Sequence, residues 1–277
     1  MDLLAYWSLK ERPFEATWDT RFFYQSRHHD EALNRLCFLV GEQSMNMGML
    51  TGEVGCGKTL TRAVFAQRLD PLRFHVVTQE NSGFSFKELL GSVLRLFDGQ
   101  PLKPRESKLI LYDRLRQAAE RIRAENRHLV LIFDEAQEMT PASLNELKLL
   151  TNFNGEGQSI LTIILLGQPE LRELVAGLPA INQRISLRFH LTGLNQDEAA
   201  SYFHHRLLIA GHPTGDLMTP EAAERAFQAS HGVPRELNRI AKLALEFAWL
   251  KEYSQVNLPA VEAVIRDLER HQNLPVA

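Results

Sequence analysis

The stretch Met47-Gly48-Met49-Leu50-Thr51-Gly52-Glu53-Val54-Gly55-Cys56-Gly57-Lys58-Thr59 decides the fold of this chain. Its start is a short apolar run, as expected of a buried strand, and its last eight residues fit the pattern Gly-x-x-x-x-Gly-Lys-Ser/Thr. Leu60, Val64 and Phe65 follow at the spacing of one face of a helix. A strand, a glycine-rich turn and a helix in this order predict a loop whose backbone N–H groups hold phosphate oxygens.

The residue types of this loop suit a nucleoside triphosphate. Glycines let the backbone approach the phosphates closely, Lys58 can reach the β- and γ-phosphates, and the Thr59 hydroxyl can bind Mg²⁺. The predicted nucleotide-binding residues of the loop are Gly52, Glu53, Val54, Gly55, Cys56, Gly57, Lys58, Thr59 and Leu60. The alternative is a glycine-rich turn that binds nothing, but that alternative does not account for two matching flanks.

The composition is that of an ordinary globular protein of 277 residues. A formal net charge of -3 gives no global basic field, so nucleic-acid binding would need a local patch. The two cysteines, Cys37 and Cys56, form no disulfide framework, which suits a reducing compartment. We expect no signal peptide, and the apolar runs 129–133 and 160–166 are too short to cross a bilayer. These features predict a cytoplasmic protein without membrane insertion.

A second apolar run, from Leu129 to Phe133, ends directly in Asp134 and Glu135. Continuous apolar runs are typical of strands buried on both faces of a parallel sheet. Ligands of such sheets bind at the carboxyl ends of the strands, so we expect both acids beside the glycine-rich loop. Asp134 would then hold Mg²⁺, directly or through water, and Glu135 would activate the attacking water as a general base. The alternative is a plain acidic turn after a core strand.

Strand and helix patterns alternate between residues 45 and 191. Strand patterns lie at 74–78, 129–133, 159–166 and 185–191, and helix patterns at 84–97, 107–126 and 141–151. This alternation predicts a three-layer α/β/α sandwich with a parallel sheet. Gln168 follows the strand at 159–166, where a polar side chain can contact the γ-phosphate or orient the water. Gln168 is therefore a candidate sensor.

The hydrophobic period changes after residue 192. Four helical segments follow without a strand, at 196–210, 220–230, 234–252 and 258–271. We therefore predict three regions: a lead-in at 1–44 packed on the α/β core, the α/β domain at 45–192, and a small all-helical lid domain at 193–277. Arg235 lies at the start of the third lid helix and could reach back to the nucleotide.

Two surfaces have more than one interpretation. The aromatic residues of the lead-in are either core residues or, for one or two of them, part of an adenine pocket. They are Tyr6, Trp7, Phe14, Trp18, Phe22, Phe23 and Tyr24. The helix at 107–126 has a basic outer face that is either an ordinary solvated surface or a nucleic-acid contact. Its arginines, with one residue just beyond, are Arg114, Arg116, Arg121, Arg123 and Arg127.

These motifs together resemble an AAA+ ATPase, and more narrowly the family of general secretion pathway protein A (ExeA) and the transposition ATPases TniB and TnsC. The matching segments extend over nearly the whole chain. They are Arg12-Pro13-Phe14, TGEVGCGKT, IFDEAQEM, ELKLLTNF, LLGQPEL, Gln183-Arg184-Ile185 and GVPRELNR. Secretion members of this family often continue into a membrane span and a peptidoglycan-binding region, and we expect neither within these 277 residues.

The resemblance implies a role for each matching position. Lys58 and Thr59 would be the Walker A residues, and Asp134 and Glu135 the Walker B pair. Gln168 is similar in position to sensor 1, and Arg235 to sensor 2. Arg184, or as second choice Arg188, would be an arginine finger that reaches the γ-phosphate in a neighbouring subunit; the alternative for Arg184 is a surface ion pair.

The function implied is ATP binding and Mg²⁺-dependent hydrolysis in a self-associating ring or filament. The process driven stays open at this point. One hypothesis is a nucleotide-gated regulator acting on duplex DNA in transposition, and the absence of an envelope module slightly favours it. A second is an assembly ATPase that acts on protein partners in a pilus, secretion or polysaccharide export system. A third is a nucleotide-gated scaffold with little hydrolysis.

Overall fold

The computed structural model describes residues 2–99, 106–155 and 157–272. The strands are β1 (Met47–Gly52), β2 (Phe74–Gln79), β3 (His128–Phe133), β4 (Asn154–Gly155), β5 (Gln158–Ser159), β6 (Leu161–Gly167) and β7 (Leu187–Leu191). The helices are α1 (Leu3–Tyr6), α2 (Arg27–Gly41), α3 (Lys58–Arg68), α4 (Phe86–Asp98), α5 (Lys108–Ala124), α6 (Pro141–Glu146), α7 (Glu170–Ala176), α8 (Pro179–Asn182), α9 (Gln196–Ile209), α10 (Pro220–Ser230), α11 (Pro234–Leu250) and α12 (Leu258–Gln272). Short 3₁₀ helices lie at Thr20–Phe22, Ala136–Glu138 and Leu147–Asn152.

Five strands form one parallel sheet in the order β2-β3-β6-β1-β7. The central strands β1, β3 and β6 are buried along their whole length, as their continuous apolar sequences require. The chain passes from β6 across β1 to β7, which makes the carboxyl ends of these strands a topological switch point, where ligands of open α/β sheets bind. The predicted parallel sheet is confirmed.

Side chains on the two faces of the sheet enter different layers. Leu129, Leu131 and Phe133 of β3 lie in a core that also contains residues of α4 and α5. On the other face, Gly48 of β1 is in direct contact with Leu39 of α2. Helices therefore cover both faces of the sheet, because successive side chains of a strand point to opposite sides.

The described residues fall into two compact units. One is the sheet unit, at 29–54 and 61–191, and the other is the helical unit, at 2–28, 55–60 and 192–272. The helical unit has its own core, which α9, α10, α11 and α12 supply together with residues near the amino terminus. Each unit buries its own apolar cluster, as expected of two separately packed domains.

The lead-in at 1–44 is divided between the two units: residues 2–28 belong to the helical unit and residues 29–44 to the sheet unit. Trp7 and Phe14 lie in the core of the helical unit, where the Phe14 ring meets that of Phe203 edge to face at 5.9 Å between centroids. The buried guanidinium of Arg206 donates to the carbonyls of Pro13 and Glu15, which fixes this segment to α9. The side chains of Trp7 and Phe14 are therefore core residues of the helical unit.

Local structure also departs from the expected helix at 141–151. Thr140 caps α6 through a bond from Ser143 N to its hydroxyl, and Pro141 begins the helix, but the α-helix ends at Glu146 and continues as the 3₁₀ helix Leu147–Asn152. A two-stranded hairpin, β4 and β5, follows it. Two-residue strands are too short for their hydrophobic period to be visible in the sequence.

Candidate functional site

The glycine-rich loop leaves β1 at Gly52 and enters α3 at Lys58. Gly55 has φ +85° and Gly57 has φ +93°, the left-handed region that side-chain-bearing residues rarely adopt. Gly52 is required for a different reason, because a Cβ there would lie 2.6 Å from the carbonyl oxygen of Leu191 in β7. Lys58 begins the helix and is only 6% exposed although it carries a charge. The backbone of the loop at Gly55 and Gly57 is thus one that glycine adopts readily and other residues do not.

Within the helical unit, the loop contacts the start of α11. Arg235 N donates to Gly55 O at 3.3 Å. A Cβ on Gly55 would lie 2.6 Å from the Cβ of Arg235 and 3.2 Å from Cγ1 of Val233. The structure thus brings the predicted sensor residue Arg235 to the phosphate loop through backbone contact.

Two glycines, Gly193 and Gly232, allow a close contact between chain segments just before α11 begins. Gly232 has φ +73° and is in direct contact with the carbonyl of Leu194. Leu194 N in turn donates to Gly232 O at 2.8 Å. A Cβ on Gly193 would lie 2.9 Å from the same Gly232 oxygen. Two glycines in close contact therefore fix where α11 begins.

Asp134 and Glu135 emerge from β3 at the carboxyl edge of the sheet. In the sheet register Phe133 pairs with Leu165 of β6, and Thr51 of β1 pairs with Gly167, so all three strands end at the same edge. The predicted convergence of the acid pair with the end of β1, from which the loop departs, is therefore present in the sheet unit.

Asp134 is buried and both of its carboxylate oxygens have partners. Oδ1 accepts from Glu135 N at 3.0 Å, and Oδ2 lies 3.4 Å from Nη1 of Arg62. Arg62, on α3, also pairs with Glu80 at 3.1 Å. The Ser82 hydroxyl donates to the Asp134 carbonyl at 2.6 Å. Sequence reasoning missed Arg62, because nothing in the local pattern of α3 marks an arginine that meets the end of β3.

Thr59, in the helical unit, and Asp134, in the sheet unit, each carry an oxygen donor of the kind that Mg²⁺ binds. In nucleotide sites Mg²⁺ keeps several waters and binds phosphate oxygens. The protein therefore usually supplies only one or two ligands, such as a hydroxyl and a carboxylate. Each Asp134 oxygen has one protein partner, which holds the carboxylate in place at the strand end and leaves acceptor sites on both oxygens. Within the described ranges no group of three or more His, Cys, Asp or Glu side chains forms a separate metal cage.

Glu135 is half-buried and lies in a hydrogen-bond network with two glutamines. Its backbone is left-handed, with φ +49°. Gln137 Nε2 donates to Glu135 Oε2 at 2.7 Å, and Gln168 Nε2 lies 3.5 Å from the same oxygen. Gln168 N donates to Gln137 Oε1 at 3.0 Å. The structure therefore brings the predicted base and the predicted sensor together, and it adds Gln137, which sequence reasoning did not single out.

The two candidate arginine fingers have different surroundings. Arg184 is half-buried, and it donates to the Thr151 hydroxyl at 3.2 Å and to the Ala180 carbonyl at 2.8 Å. Arg188 is exposed on the edge strand β7, and its Nη2 donates to the backbone and side-chain oxygens of Asn182, each at 2.7 Å. Arg188 also lines an open groove of about 630 Å³ in the sheet unit. Of the two, Arg188 has the more accessible side chain.

Among the helices of residues 2–99, 106–155 and 157–272, none combines the length and the apolar character that a membrane span requires.

The family comparison identifies residues 42–175 as an AAA domain. General secretion pathway protein A of Aeromonas hydrophila is 31% identical over 248 residues, covering 89% of this chain and 45% of that protein. The chain thus spans less than half the length of this relative.

Solved structures show the same fold at low sequence identity. The ORC2 protein of Aeropyrum pernix, solved as ADPNP–ADP complexes, aligns with a TM-score of 0.70 at 17% identity and covers 96% of this chain and 75% of that chain. The ORC1 protein of the same organism, solved in complex with DNA, aligns at 0.64 and 16% identity, covering 90% and 69%. The parallel sheet, the phosphate loop and these matches agree: the chain has the fold of AAA+ P-loop proteins, its residues 42–175 match the AAA domain family, and it is similar in sequence to general secretion pathway protein A.

Proposed function

We propose that this chain binds ATP with Mg²⁺ and hydrolyses it. The observation that carries the proposal is the convergence of the acid pair Asp134 and Glu135 with the end of β1, from which the phosphate loop departs. In this proposal Lys58 neutralises the β- and γ-phosphates, Thr59 and Asp134 hold Mg²⁺, and Glu135 takes the proton of the attacking water. Mg²⁺ supplies charge neutralisation at the phosphate oxygens when it is bound.

The remaining roles follow from position. Gln168 contacts the base Glu135 at the strand end, which suits a sensor of the γ-phosphate. Arg235 is joined to the loop through Gly55, so it can respond to the phosphates held there. The exposure of Arg188 favours it over Arg184 as the residue that acts on a neighbouring subunit, in a ring or filament of this chain.

The proposal is tested with two variants and two measurements. Lys58→Ala should lose nucleotide affinity in a fluorescent-ATP titration, whereas Glu135→Gln should bind ATP normally and lose turnover by about 10²–10⁴-fold, the usual contribution of a general base. Turnover is measured with radiolabelled ATP over a range of protein concentrations, since an arginine supplied in trans adds about 10³–10⁵-fold. Normal turnover in Glu135→Gln would leave the nucleotide-gated scaffold as the better description.

For the process driven by ATP, we favour an assembly role on protein partners of an envelope system. The supporting observation is the relationship to general secretion pathway protein A at 31% identity over 89% of this chain. This reverses the slight preference for DNA that the sequence alone gave. A pull-down with the purified chain as bait, with ATP or with ADP, should retain envelope-assembly proteins in one nucleotide state only. Equal retention in both states would contradict a nucleotide-gated assembly role.

A DNA-linked role is the second candidate, supported by the basic outer face of α5. Arg116 and Arg121 are exposed there, whereas Arg114 pairs with Glu106 at 2.8 Å and Arg127 is paired as well. Only part of the basic face is thus available to phosphates. Arg116 and Arg121 can meet a duplex without first breaking these ion pairs.

Fluorescence anisotropy with a duplex and ATP at several salt concentrations tests this second role. The double variant Arg116→Glu with Arg121→Glu should weaken binding and reduce the salt slope by roughly two, about one for each phosphate that an arginine no longer neutralises. The matched control changes the exposed Arg266 and Arg270 of α12 in the same way and should leave the slope unchanged. ATP-independent binding, or equal slopes in both double variants, would exclude a specific DNA role of α5.

A further inference from the structure

The side chain of Gln137 connects the ends of two neighbouring strands. Its Nε2 donates to the carboxylate of Glu135, which follows β3, at 2.7 Å. Its Oε1 accepts from the backbone N–H of Gln168, which follows β6, at 3.0 Å. A primary amide can donate at one end and accept at the other, so one side chain satisfies both groups. An ionised glutamate side chain, of the same length, could accept but not donate.

The space for this bridge depends on a glycine. A Cβ at position 167 would lie 2.7 Å from Oε1 of Gln137 and 2.9 Å from Cδ2 of Leu171. Any side chain at 167 would therefore push Gln137 out of its present place. The last residue of β6 and the amide of Gln137 thus fit each other, which indicates a built contact rather than a surface side chain in one of many rotamers.

Glu135 itself is held in an uncommon conformation. Its φ of +49° places a non-glycine residue in the left-handed region, immediately before the 3₁₀ helix Ala136–Glu138. Such conformations cost about 1–3 kcal/mol and persist where surrounding contacts fix them. The Gln137 bond to Oε2 is the shortest contact made by this carboxylate. This bond restrains the rotation of the Glu135 carboxylate and thereby the position of its other oxygen, Oε1.

We propose that Gln137 is a positioning residue that orients the Glu135 carboxylate for attack by water and joins its orientation to the strand end that carries Gln168. This inference rests on the proposed ATP hydrolysis, in which Glu135 is the base. Gln137 acts through Glu135 and takes no proton. The same amide also accepts from Gln168 N. If contact with the γ-phosphate moves Gln168, the Gln137 side chain therefore moves the Glu135 carboxylate with it.

Two variants of equal length separate positioning from packing. Gln137→Met keeps the shape of the side chain and removes both hydrogen bonds. Gln137→Glu keeps the acceptor for Gln168 N but places a second carboxylate 2.7 Å from Glu135 Oε2, where the like charges repel. We expect kcat to fall about 10–100-fold in Gln137→Met, since a misplacement of about 1 Å costs up to 10²-fold. Gln137→Glu should lose at least as much.

The affinity for ATP and the thermal midpoint provide the discriminating readouts. Both variants should bind ATP with the wild-type Kd, because the phosphates are held by the loop and not by Gln137. A merely structural role would instead lower the thermal midpoint and leave kcat per folded molecule unchanged. The control Gln117→Met, at an exposed position of α5, should match the wild type in all three measurements.

The outcomes separate the two proposals. A wild type that binds ATP without turnover overturns the proposed hydrolysis, and the role of Gln137 with it. Wild-type turnover with unchanged kcat in both folded variants overturns the role of Gln137 alone. If Gln137→Met does not fold, Gln137→Glu decides, and a normal kcat in that variant overturns the inference.

Discussion

Replacement of Gly55 by alanine tests whether the phosphate loop and α11 depend on one another. Two costs can be worked out for this change. Alanine at φ +85° bears the left-handed penalty of about 1–2 kcal/mol. Its Cβ would also lie 2.6 Å from the Cβ of Arg235, far inside contact distance, and relieving such overpacking costs about 1–3 kcal/mol. The expected total is about 2–5 kcal/mol.

Gly99 provides a matched control for the first cost. It has φ +65°, and a Cβ there would meet no atom within 4 Å. Gly99→Ala should therefore show the left-handed penalty without the overlap. At about 2–4 °C per kcal/mol for a chain of this size, its thermal midpoint should fall by a few degrees. The thermal midpoint of Gly55→Ala should fall further, because this variant must also move α11 away from the loop.

The functional effect should separate the two variants more clearly than their stability does. Moving α11 breaks the bond from Arg235 N to Gly55 O and shifts the loop carbonyl that it holds. We expect at least a tenfold weaker Kd for ATP in Gly55→Ala, equivalent to about 1.4 kcal/mol, and an unchanged Kd in Gly99→Ala. Isothermal titration calorimetry with a non-hydrolysable ATP analogue measures both. Equal affinities in the two variants would refute the dependence of the loop on α11.

Two further predictions concern stability. Arg206→Met should destabilise the chain by about 2–6 kcal/mol in urea unfolding, because it leaves the carbonyls of Pro13 and Glu15 without their donor, at about 1–3 kcal/mol each. An unchanged midpoint would show that Arg206 does not hold the amino-terminal segment. Burial, and to a smaller extent the charge of Arg123, lowers the pKa of His128 from 6.5 to about 4. As pH falls, the unfolded state therefore binds a proton at His128 before the folded state does. The free energy of unfolding decreases between about pH 6.5 and pH 4, by about 3 kcal/mol in all. His128→Gln should reduce the slope of unfolding free energy against pH in that window, and an unchanged slope would contradict the assignment.

The residues that sequence predicted best are those whose role depends on their neighbours in the chain. The loop at 52–59 combines a strand end, glycines and a helix start, all within about twenty residues, so its backbone form follows from local rules. Asp134 and Glu135 were placed correctly at the sheet edge because parallel strands bring their carboxyl ends to one side. Both predictions needed only the period of the apolar residues and the direction of the strands.

Residues whose role depends on contacts between distant segments were missed. Gln137 is one of many glutamines in the sequence, and only the pairing of β3 with β6 brings it to Gln168 N. Arg62 meets Asp134 for the same kind of reason, through the packing of α3 near the end of β3. The sequence also does not show which core Trp7, Phe14 and Phe22 enter, because an apolar side chain indicates burial but not the segment it packs against.

The helical unit has a consequence for how the chain is made on the ribosome. Its core joins Leu3, Trp7, Phe14 and Phe22 to residues that begin with Leu194, so the two contributions are separated by about 170 residues of synthesis. At about 5–20 residues per second, the first segment waits roughly 10–30 s for its partners, while the sheet unit between them can already fold. During that time four large apolar side chains have no core to enter. Slow translation between residues 22 and 194 would therefore prolong the exposure of these side chains, and a chaperone that covers them would protect the nascent chain.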